Sequence, residues 1–414
     1  MKAKLLLQIG SALIGLALVL AACAPLATDA PEVDIAIETD TPPPAVADTS
    51  PASLIQQMAA TCSDSLLQTD AATIAGNDPD LFAWLMFLYI NCPSGDTPPS
   101  AIWETWKPNY AVYLPGGATP DPWGAPLPPR MLSADPEISG YKLLDDNGNP
   151  ALYEIRMNKD TFEYIVNRQL YSRAGQLAFF NAPSTDPVGA PVVFPTAALE
   201  IKAVWLILEQ NDPRASRYYT TTAQYVDENG DTQTVFVGLS GLHITSKVLP
   251  NWLWATFEQV DNQTVTPAPA VYPVTPAAQT LNDEVHAAID PQSVWQYYNL
   301  RGTQTTFTDA NNQPTLLANT LIETDFQKSS SCITCHALAS RGSVDQGRLA
   351  FFNTANNGIA GYIGALDDPN NTFYDADGDP VCYNANASAF TACNDSTKIV
   401  YKLVDFVWSL REAQ

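Results

Sequence analysis

The sequence predicts an α+β fold in which helices flank an antiparallel sheet and a helix closes the C-terminal segment. In the middle of the chain, segments of alternating apolar and polar residues follow one another with short turns between them. Short turns join antiparallel neighbours, whereas parallel strands need long crossovers. Helical apolar spacing occurs before these segments and again at the C-terminus. Strands and helices grouped in this way indicate α+β rather than alternating α/β.

Two helices are expected ahead of the sheet, over residues 53–68 and 80–91, where apolar residues recur at helical spacing. A shorter helix is expected over residues 102–107, because Pro108 disfavours helical geometry in the residue before it. Prolines then recur as far as residue 136. We therefore expect an extended stretch there that wraps over the surface.

Five strands are expected in the middle of the chain, with one helix between the first two. Asp160 is the expected N-cap of that helix, with Glu163 three residues later as in a capping box. Asn229-Gly230 is typical of a tight hairpin turn. The strands are expected over residues 152–157, 199–207, 218–226, from 234 onward, and 252–260.

The turn at residues 248–251 decides which side chains of the last two strands share a face. With an even-length turn, Lys247 pairs with Trp252, and His243 lies opposite Thr256. A change of one residue in the turn would move every one of these side chains to the other face. The face that carries His243 would also carry Thr245, Lys247, Trp252, Trp254 and Glu258.

Net charge excludes one class of partner. The 414-residue chain has a formal net charge of −24 and a pI near 4.2. Nucleic-acid binding needs a basic face that neutralises phosphates, so we expect no nucleic acid. Only 15% of the residues are charged, which is typical of an exported protein. The acidity favours solubility and would also steer a basic protein partner.

The N-terminus predicts export. Lys2 and Lys4 precede an apolar run from Leu5 to Ala22, which has the pattern of a signal peptide rather than of a spanning helix. The run ends Leu-Ala-Ala-Cys, which resembles a bacterial lipobox with Cys23 as the lipidated residue. The alternative is an ordinary cleaved signal. We expect an extracytoplasmic protein that a lipid anchors to a bacterial membrane.

Differences in composition suggest how the chain is divided into parts. Residues 263–279 are rich in Thr, Pro and Ala and have the character of a connector. A closing helix is expected over residues 396–412, with Ile399, Leu403, Phe406, Val407 and Leu410 on one face. The expected parts are a signal peptide (1–22), a disordered tether (23–52), a helical and Pro-rich part (53–135), a sheet region (136–262), a connector (263–330) and a C-terminal segment (331–414).

The most specific motif in the chain is Cys332-Ile333-Thr334-Cys335-His336. Two thiols at this spacing, followed at once by histidine, form the attachment motif of a c-type haem, in which the imidazole binds iron. A redox CxxC would lie in a thioredoxin-like βαβ pattern, and a structural zinc site would need a second Cys/His pair. Neither pattern is present in the sequence. We therefore expect one covalent haem c, held by Cys332 and Cys335, with His336 as the proximal iron ligand.

The remaining cysteines suggest disulfides. Without Cys23 and the haem pair, four cysteines remain, and an even number in an oxidising compartment favours two bonds. Proximity in the sequence favours Cys62–Cys92 and Cys382–Cys393, although three pairings are possible.

The sixth iron ligand is expected upstream of the motif, since neither Met nor His follows His336. His243 is the first candidate, and its alternative is a structural histidine within the sheet. Met157 is expected in the core and His286 at the surface. The weaker candidates are His286, Met157, Met131, Met86 and Met58.

Other charged residues have provisional roles. Arg341 and Arg348 follow the motif and are candidates for contact with haem propionates, the alternative being surface solvation. Glu258 and Glu200 are weak candidates for a distal base. Residues 375–379 concentrate carboxylates on a turn, but they lack the full loop of an EF-hand, so a surface turn is favoured over a calcium site.

From residue 103 to residue 410 the chain resembles bacterial exported mono-haem proteins of the cytochrome c family that have no assigned activity. More distantly, the order of its segments is similar to cytochrome P-460 and the β-sheet cytochromes c′. That order is a strand led by Phe194-Pro195, a strand with Lys247, a Trp-containing strand and a late CxxCH. The stretches that match the first group are Trp103–Trp106, Tyr153–Arg156, Glu200–Ala203, Gly241–Ile244, Trp254–Glu258 and Asp405–Leu410.

The second resemblance implies a five-coordinate haem against an antiparallel sheet, with hydroxylamine oxidation or nitric oxide binding as activity. It also implies a lysine crosslinked to the haem, for which Lys202 is the candidate. The long insertion between Val260 and Cys332, and the tail after His336, depart from that pattern.

Two functions follow as hypotheses. The first is a membrane-anchored cytochrome that carries electrons to or from a redox partner protein, with an upstream sixth ligand. The second is a haem enzyme or small-gas binder with an open iron position, acting on hydroxylamine, peroxide or nitric oxide. We expect the first, because electron carriers are the commoner use of the motif.

Overall fold

The structure is a computed structural model, and its described residues belong to one compact unit, Asp48–Gln414. Residues 1–49, which include the expected signal peptide, most of the expected tether and Cys23, lie outside the described part. The described residues are 50–97, 99–134, 144–145, 148–181, 191–262, 274–324, 326–342, 352–353, 358–359, 373–374, 380–384, 389–392 and 401–414.

The fold is α+β, with a large antiparallel sheet and helices on both of its faces, as the sequence predicts. Its α-helices are α1 (Pro51–Thr61), α2 (Ser65–Thr69), α3 (Ala71–Asn77), α4 (Pro79–Ile90), α5 (Lys159–Asn167), α6 (Arg173–Phe180), α7 (Pro276–Ala288) and α8 (Cys332–Ala337). Its short 3-10 helices are Ile102–Thr105, Asn109–Ala111, Pro115–Gly117, Ala215–Arg217, Val294–Tyr297, Gln327–Ser329 and Trp408–Glu412.

The strands form one large sheet and smaller C-terminal ones. The large sheet contains β1 (Lys107–Pro108), β2 (Met131–Leu132), β3 (Leu152–Met157), β4 (Leu199–Ile207), β5 (Thr220–Val226), β6 (Thr232–Ser246), β7 (Leu253–Gln259) and β8 (Tyr298–Gln304). The others are β9 (Ser340–Gly342), β10 (Phe352–Asn353), β11 (Gly358–Ile359), β12 (Phe373–Tyr374), β13 (Pro380–Asn384), β14 (Ala389–Ala392) and β15 (Tyr401–Leu403).

The long strand β6 organises the large sheet. Its first half pairs with β5, its second half pairs with β7, and β4 runs along its other edge. The strand order is β1-β3-β4-β6-β5-β2, while β7 pairs with β6 and with β8. All of these pairs are antiparallel except β2 with β5. The predicted bounds of β3 and β4 are confirmed.

The register between β6 and β7 is confirmed. His243 pairs with Thr256, and Thr245 pairs with Trp254. Alternate residues therefore face opposite sides of the sheet. Leu242 and Phe257 lie in the core on one face, while His243 and Trp254 lie on the other.

The first face is covered by α1, α4 and α7. Nine residues of α4 are buried, so the helix is apolar around almost its whole circumference, as a helix inside a core must be. Phe87 of α4 stacks on Phe257 of β7 with ring centroids 4.2 Å apart. Cys62, at the end of α1, is bonded to Cys92, just beyond α4, which confirms that predicted disulfide.

The second face is covered by α5, α6, α8 and the end of the chain. Phe162 and Ile165 of α5, Trp252 and Trp254, Ile333 of α8, and Val404 share this core. Asn158, not Asp160, caps α5: its side chain accepts a hydrogen bond from Thr161 N at 3.1 Å. Asn158 has the extended backbone that an N-cap needs, whereas Asp160 already lies within the helix.

Two expectations for the second half of the chain were wrong. The connector contributes α7 and β8, and β8 lies in the large sheet beside β7. The closing helix is absent from the described residues 401–414, where β15 pairs with β9 and a 3-10 helix follows. Asp405 and Phe406 have φ of 50° and 68°, and consecutive left-handed residues cannot continue an α-helix.

Among the described helices, none combines the length and the apolar character that crossing a membrane requires.

Candidate functional site

The CxxCH motif forms the helix α8, which begins at Cys332. Cys335 N donates to Ser331 O at 3.0 Å, and so the first turn is closed. Residues three apart lie on one side of a helix, which places the two thiols side by side. Cys332 and Cys335 are free thiols in the structure, and both line the same cavity as His336.

This cavity, of about 150 Å³, separates α8 from the second face of the large sheet. The sheet side is lined by Glu200, Lys202, His243, Thr245 and Trp254. The remaining sides are lined by Glu323 and Phe326, from the segment before α8, and by Trp408, Ser409, Arg411 and Glu412, at the end of the chain. The motif therefore faces a wall of the sheet that combines one large aromatic ring with several polar groups.

The ring of His336 is held in a defined orientation. Its Nδ1 is 2.9 Å from the carbonyl oxygen of Phe406, and the ring centroid lies 4.4 Å from that of Trp254. Because a carbonyl oxygen only accepts hydrogen bonds, Nδ1 must carry the proton. The lone pair is then on Nε2, which is the nitrogen of a neutral imidazole that ligates a metal.

The two thiols are protonated in this environment. Burial, together with the negative charge of Glu323, raises the pKa of Cys335 to about 12, and the same causes raise the pKa of Cys332 well above its usual value. A redox-active dithiol needs the opposite, namely a thiolate stabilised by positive charge. The raised pKa values of the two thiols therefore argue against thiol–disulfide chemistry at this motif.

His243 faces the cavity from β6. Its Nε2 is buried, and no hydrogen-bond partner for it occurs in the described part of the chain; the nearest carboxylate oxygen, Oε2 of Glu323, is 4.0 Å away. That distance is too long for a hydrogen bond. Burial above all lowers the pKa of His243 to about 3, and the positive charge of Lys202 and the electrostatic coupling to His336 act in the same direction. The imidazole is therefore neutral, which is the form that binds metals.

The other polar groups of the wall are anchored at its edges. Glu200 accepts a hydrogen bond from Ser409 Oγ at 2.8 Å, and Glu323 accepts one from Asn319 N at 2.6 Å. The ammonium group of Lys202 lies 4.9 Å from the ring centroid of Tyr153. Trp408 Nε1 donates to Cys335 O at 3.1 Å, which ties the end of the chain to α8.

Two predicted site residues lie elsewhere. Glu258 does not line the cavity: it is buried, its Oε1 is 3.1 Å from Arg301 Nε, and its Oε2 accepts from Thr320 Oγ1 at 2.7 Å. Glu258 lies on the same face of β7 as Thr256, but the segment at Asn319 and Thr320 covers both residues. Arg341 does not line the cavity and lies beside Val404 and Trp408.

The other candidate sixth ligands are also remote from the cavity. Met58 and Met86 are buried in the helix-side core, and Met157 is buried beside α5. His286 Nε2 is 3.0 Å from Tyr298 O on the other side of the sheet, so the expected surface position was wrong. Met131 lies in β2.

Arg348, Cys393 and residues 375–379 lie outside the described residues, as does the side chain of Cys382. The second disulfide, the calcium site and the Arg348 contact stay predictions.

The sequence did not predict that Glu323, Phe406 and Trp408 belong to the site. Glu323 lies nine residues before Cys332 in the sequence, but its position at the cavity depends on the path of the intervening loop.

The donor set at this cavity fits a haem better than a bare metal ion. Where side chains are described, no group of three or more His, Cys, Asp or Glu is arranged to hold such an ion. A haem iron needs only one or two protein ligands, because the porphyrin supplies four. This one cavity contains two unbridged thiols, the oriented imidazole of His336 and the Nε2 of His243, which has no hydrogen-bond partner among the described residues.

No protein-family model matches the chain, and neither the curated proteins nor the solved structures include one with significant similarity to it.

Proposed function

We propose that the chain is an exported c-type cytochrome with one haem, bound covalently through Cys332 and Cys335 and ligated by His336. The observation that carries the proposal is the convergence of both thiols, His336 and His243 on one cavity. Cys332, Cys335 and His336 belong to one short motif, whereas His243 comes from the central strand of the sheet. A buried histidine with a purely structural role would be expected to have a hydrogen-bond partner for its Nε2.

Each residue has a distinct task in this proposal. Cys332 and Cys335 hold the group in place, and the Phe406 carbonyl keeps His336 in its ligand tautomer. Trp254 supports the ring of His336 from the sheet side. When bound, the haem supplies a one-electron iron couple whose potential depends on ligation and burial.

The proposed role is electron transfer. His243 is neutral over the physiological range, so it is suited to act as a second strong ligand. An iron with two imidazole ligands exchanges electrons without binding a substrate. The partner would be a redox protein with a basic docking surface, because this chain carries a net charge of −24.

A second function, a haem enzyme or small-gas binder with an open iron position, is favoured by one observation. The cavity wall includes the charged residues Glu200, Lys202 and Glu323 beside His243. An electron carrier has no need of several ionisable groups at its haem, whereas proton-coupled chemistry on hydroxylamine, peroxide or nitric oxide does. In this version the carboxylates of Glu200 and Glu323 would exchange protons with a bound small molecule.

The cellular context is part of the proposal. The N-terminal sequence favours export and lipidation at Cys23, and haem attachment to CxxCH motifs takes place outside the cytoplasm. The disulfide between Cys62 and Cys92 agrees with an oxidising compartment.

The first experiment is mass spectrometry of the protein from a host that attaches c-type haem. The intact mass should increase by one haem, and Cys332→Ala/Cys335→Ala should abolish the increase. Cys62→Ser/Cys92→Ser is the matched control, since it removes two cysteines from the other side of the sheet. A wild-type chain with no added mass would contradict the proposal.

The second experiment separates the two functions. The optical spectrum of the reduced holoprotein is recorded before and after addition of carbon monoxide. An unchanged low-spin spectrum supports the electron carrier, and prompt formation of a carbon monoxide complex supports the open iron position.

A further inference from the structure

The carbonyl group that orients His336 belongs to an unusual turn. Asp405 and Phe406, which follow β15, both have left-handed backbone angles, with φ of 50° and 68°. Such angles are uncommon for residues with a Cβ atom, and two in succession cost free energy that the surroundings must supply. The turn directs the Phe406 carbonyl at His336 Nδ1, 2.9 Å away.

The carboxylate of Asp405 holds this turn against the sheet. Its Oδ1 accepts a hydrogen bond from Lys247 Nζ at 2.6 Å, and its Oδ2 accepts one from Phe194 N at 2.7 Å. Lys247 also donates to Pro250 O at 2.8 Å. The side chains of Asp405 and Lys247 are each 9% exposed, so the ion pair is shielded from water.

We infer that Asp405 is a positioning residue for the proximal iron ligand, acting through the Phe406 carbonyl on His336. This inference rests on the proposed haem site. The hydrogen bond at Nδ1 fixes the ring plane and increases the electron density at Nε2. Asp405 is anchored by Lys247, which directly follows β6, and by Phe194, which precedes β4, so the sheet region sets the strength of that hydrogen bond.

If Asp405 only stabilised the fold, its replacement would be expected to have a different effect. The ion pair would then contribute to folding, but its loss would leave His336 unaffected. Glu154, paired with Arg156 at 2.7 Å, is a matched control, because it is also a buried carboxylate of an ion pair and does not line the cavity.

The test compares Asp405→Asn with Glu154→Gln in two preparations. In the haem-free protein, labelled with nitrogen-15, the Nδ1 proton of His336 should exchange slowly with water in wild type and in Glu154→Gln. It should exchange at least tenfold faster in Asp405→Asn. In the holoprotein, the reduction potential of Asp405→Asn should rise, because a less basic imidazole stabilises ferric iron less.

The inference is overturned if Asp405→Asn changes neither the exchange rate nor the potential while it destabilises the fold as Glu154→Gln does. If Asp405→Asn does not fold, Lys247→Gln replaces it, with Lys247→Arg as the variant that restores the behaviour of wild type. Failure of haem attachment would contradict the proposed function alone, because the exchange measurement on the haem-free protein still tests the link from Asp405 to His336.

Discussion

The imidazole of His336 packs on the indole of Trp254, with ring centroids 4.4 Å apart and an interplanar angle of 45°. Trp254 is itself fixed, because its Nε1 donates to Asn251 O at 3.0 Å. The contact joins the CxxCH motif to the central sheet, so the position of His336 depends on the sheet as well as on α8.

Removal of this indole should therefore affect both stability and the site. Trp254→Ala is expected to lower the free energy of unfolding by about 3–5 kcal/mol, as for a large buried aromatic side chain. Chemical denaturation measures the loss. Trp84→Ala, in the core on the other face, should cost a similar amount but leave the optical spectrum of the holoprotein unchanged. An unchanged spectrum in Trp254→Ala as well would contradict a role for this contact in placing His336.

Replacement of His243 tests the sixth ligand. If His243 ligates the iron, His243→Ala should convert a low-spin haem into one that binds carbon monoxide, which a difference spectrum detects. Thr245→Val is the control, since Thr245 lines the same cavity two residues further along β6. A wild-type protein that binds carbon monoxide as readily as His243→Ala would rule out ligation by His243.

The haem-free protein should lose stability at alkaline pH through its two cavity thiols. Their pKa values are raised, to about 12 for Cys335, whereas an unfolded thiol titrates near 8.5. The folded state thus keeps protons that the unfolded state releases. This contribution is complete below pH ~8.5 and is lost as the pH rises toward the folded pKa.

Unfolding free energies of the haem-free wild type and of Cys332→Ala/Cys335→Ala should therefore diverge as the pH rises above about 9. The wild type should lose more stability, because other alkaline groups titrate equally in both proteins. Parallel curves would show that the thiols are not protonated by burial.

The disulfide contributes to stability far from the cavity. Cys62 and Cys92 close a loop with a sequence separation of 30 residues. Loop-closure entropy for that length corresponds to about 3–4 kcal/mol. Cys62→Ser/Cys92→Ser should lose this amount in a denaturant titration and keep its full haem content. A loss of haem attachment in this variant would mean that the two faces of the sheet are coupled.

Much of the sheet could be predicted from the sequence because its signals are local. Apolar and polar residues alternate from Tyr153 to Met157 in β3 and in the first half of β4, and Asn229-Gly230 marks the hairpin between β5 and β6. The pairing of His243 with Thr256 was predicted from the even length of the turn at residues 248–251. β8 was missed because Tyr298–Gln304 is mostly polar, and its place in the sheet depends on pairing with β7.

The closing segment shows the opposite case. Its apolar spacing suits a helix, but residues 401–403 instead pair with β9, and the carboxylate of Asp405 stabilises a left-handed turn. Partners 158 and 211 residues away in the sequence decide this conformation, and local propensity contains no information about them.

By itself the sequence determined the class of fold and the CxxCH motif, because each depends on residue types at short, regular spacing. It favoured the Cys62–Cys92 pair, which the structure then selected among three possible pairings. Only the tertiary structure decided which residues surround that motif. It brought Glu323, Phe406 and Trp408 to the cavity and excluded Glu258, since those positions result from packing between segments that are far apart along the chain.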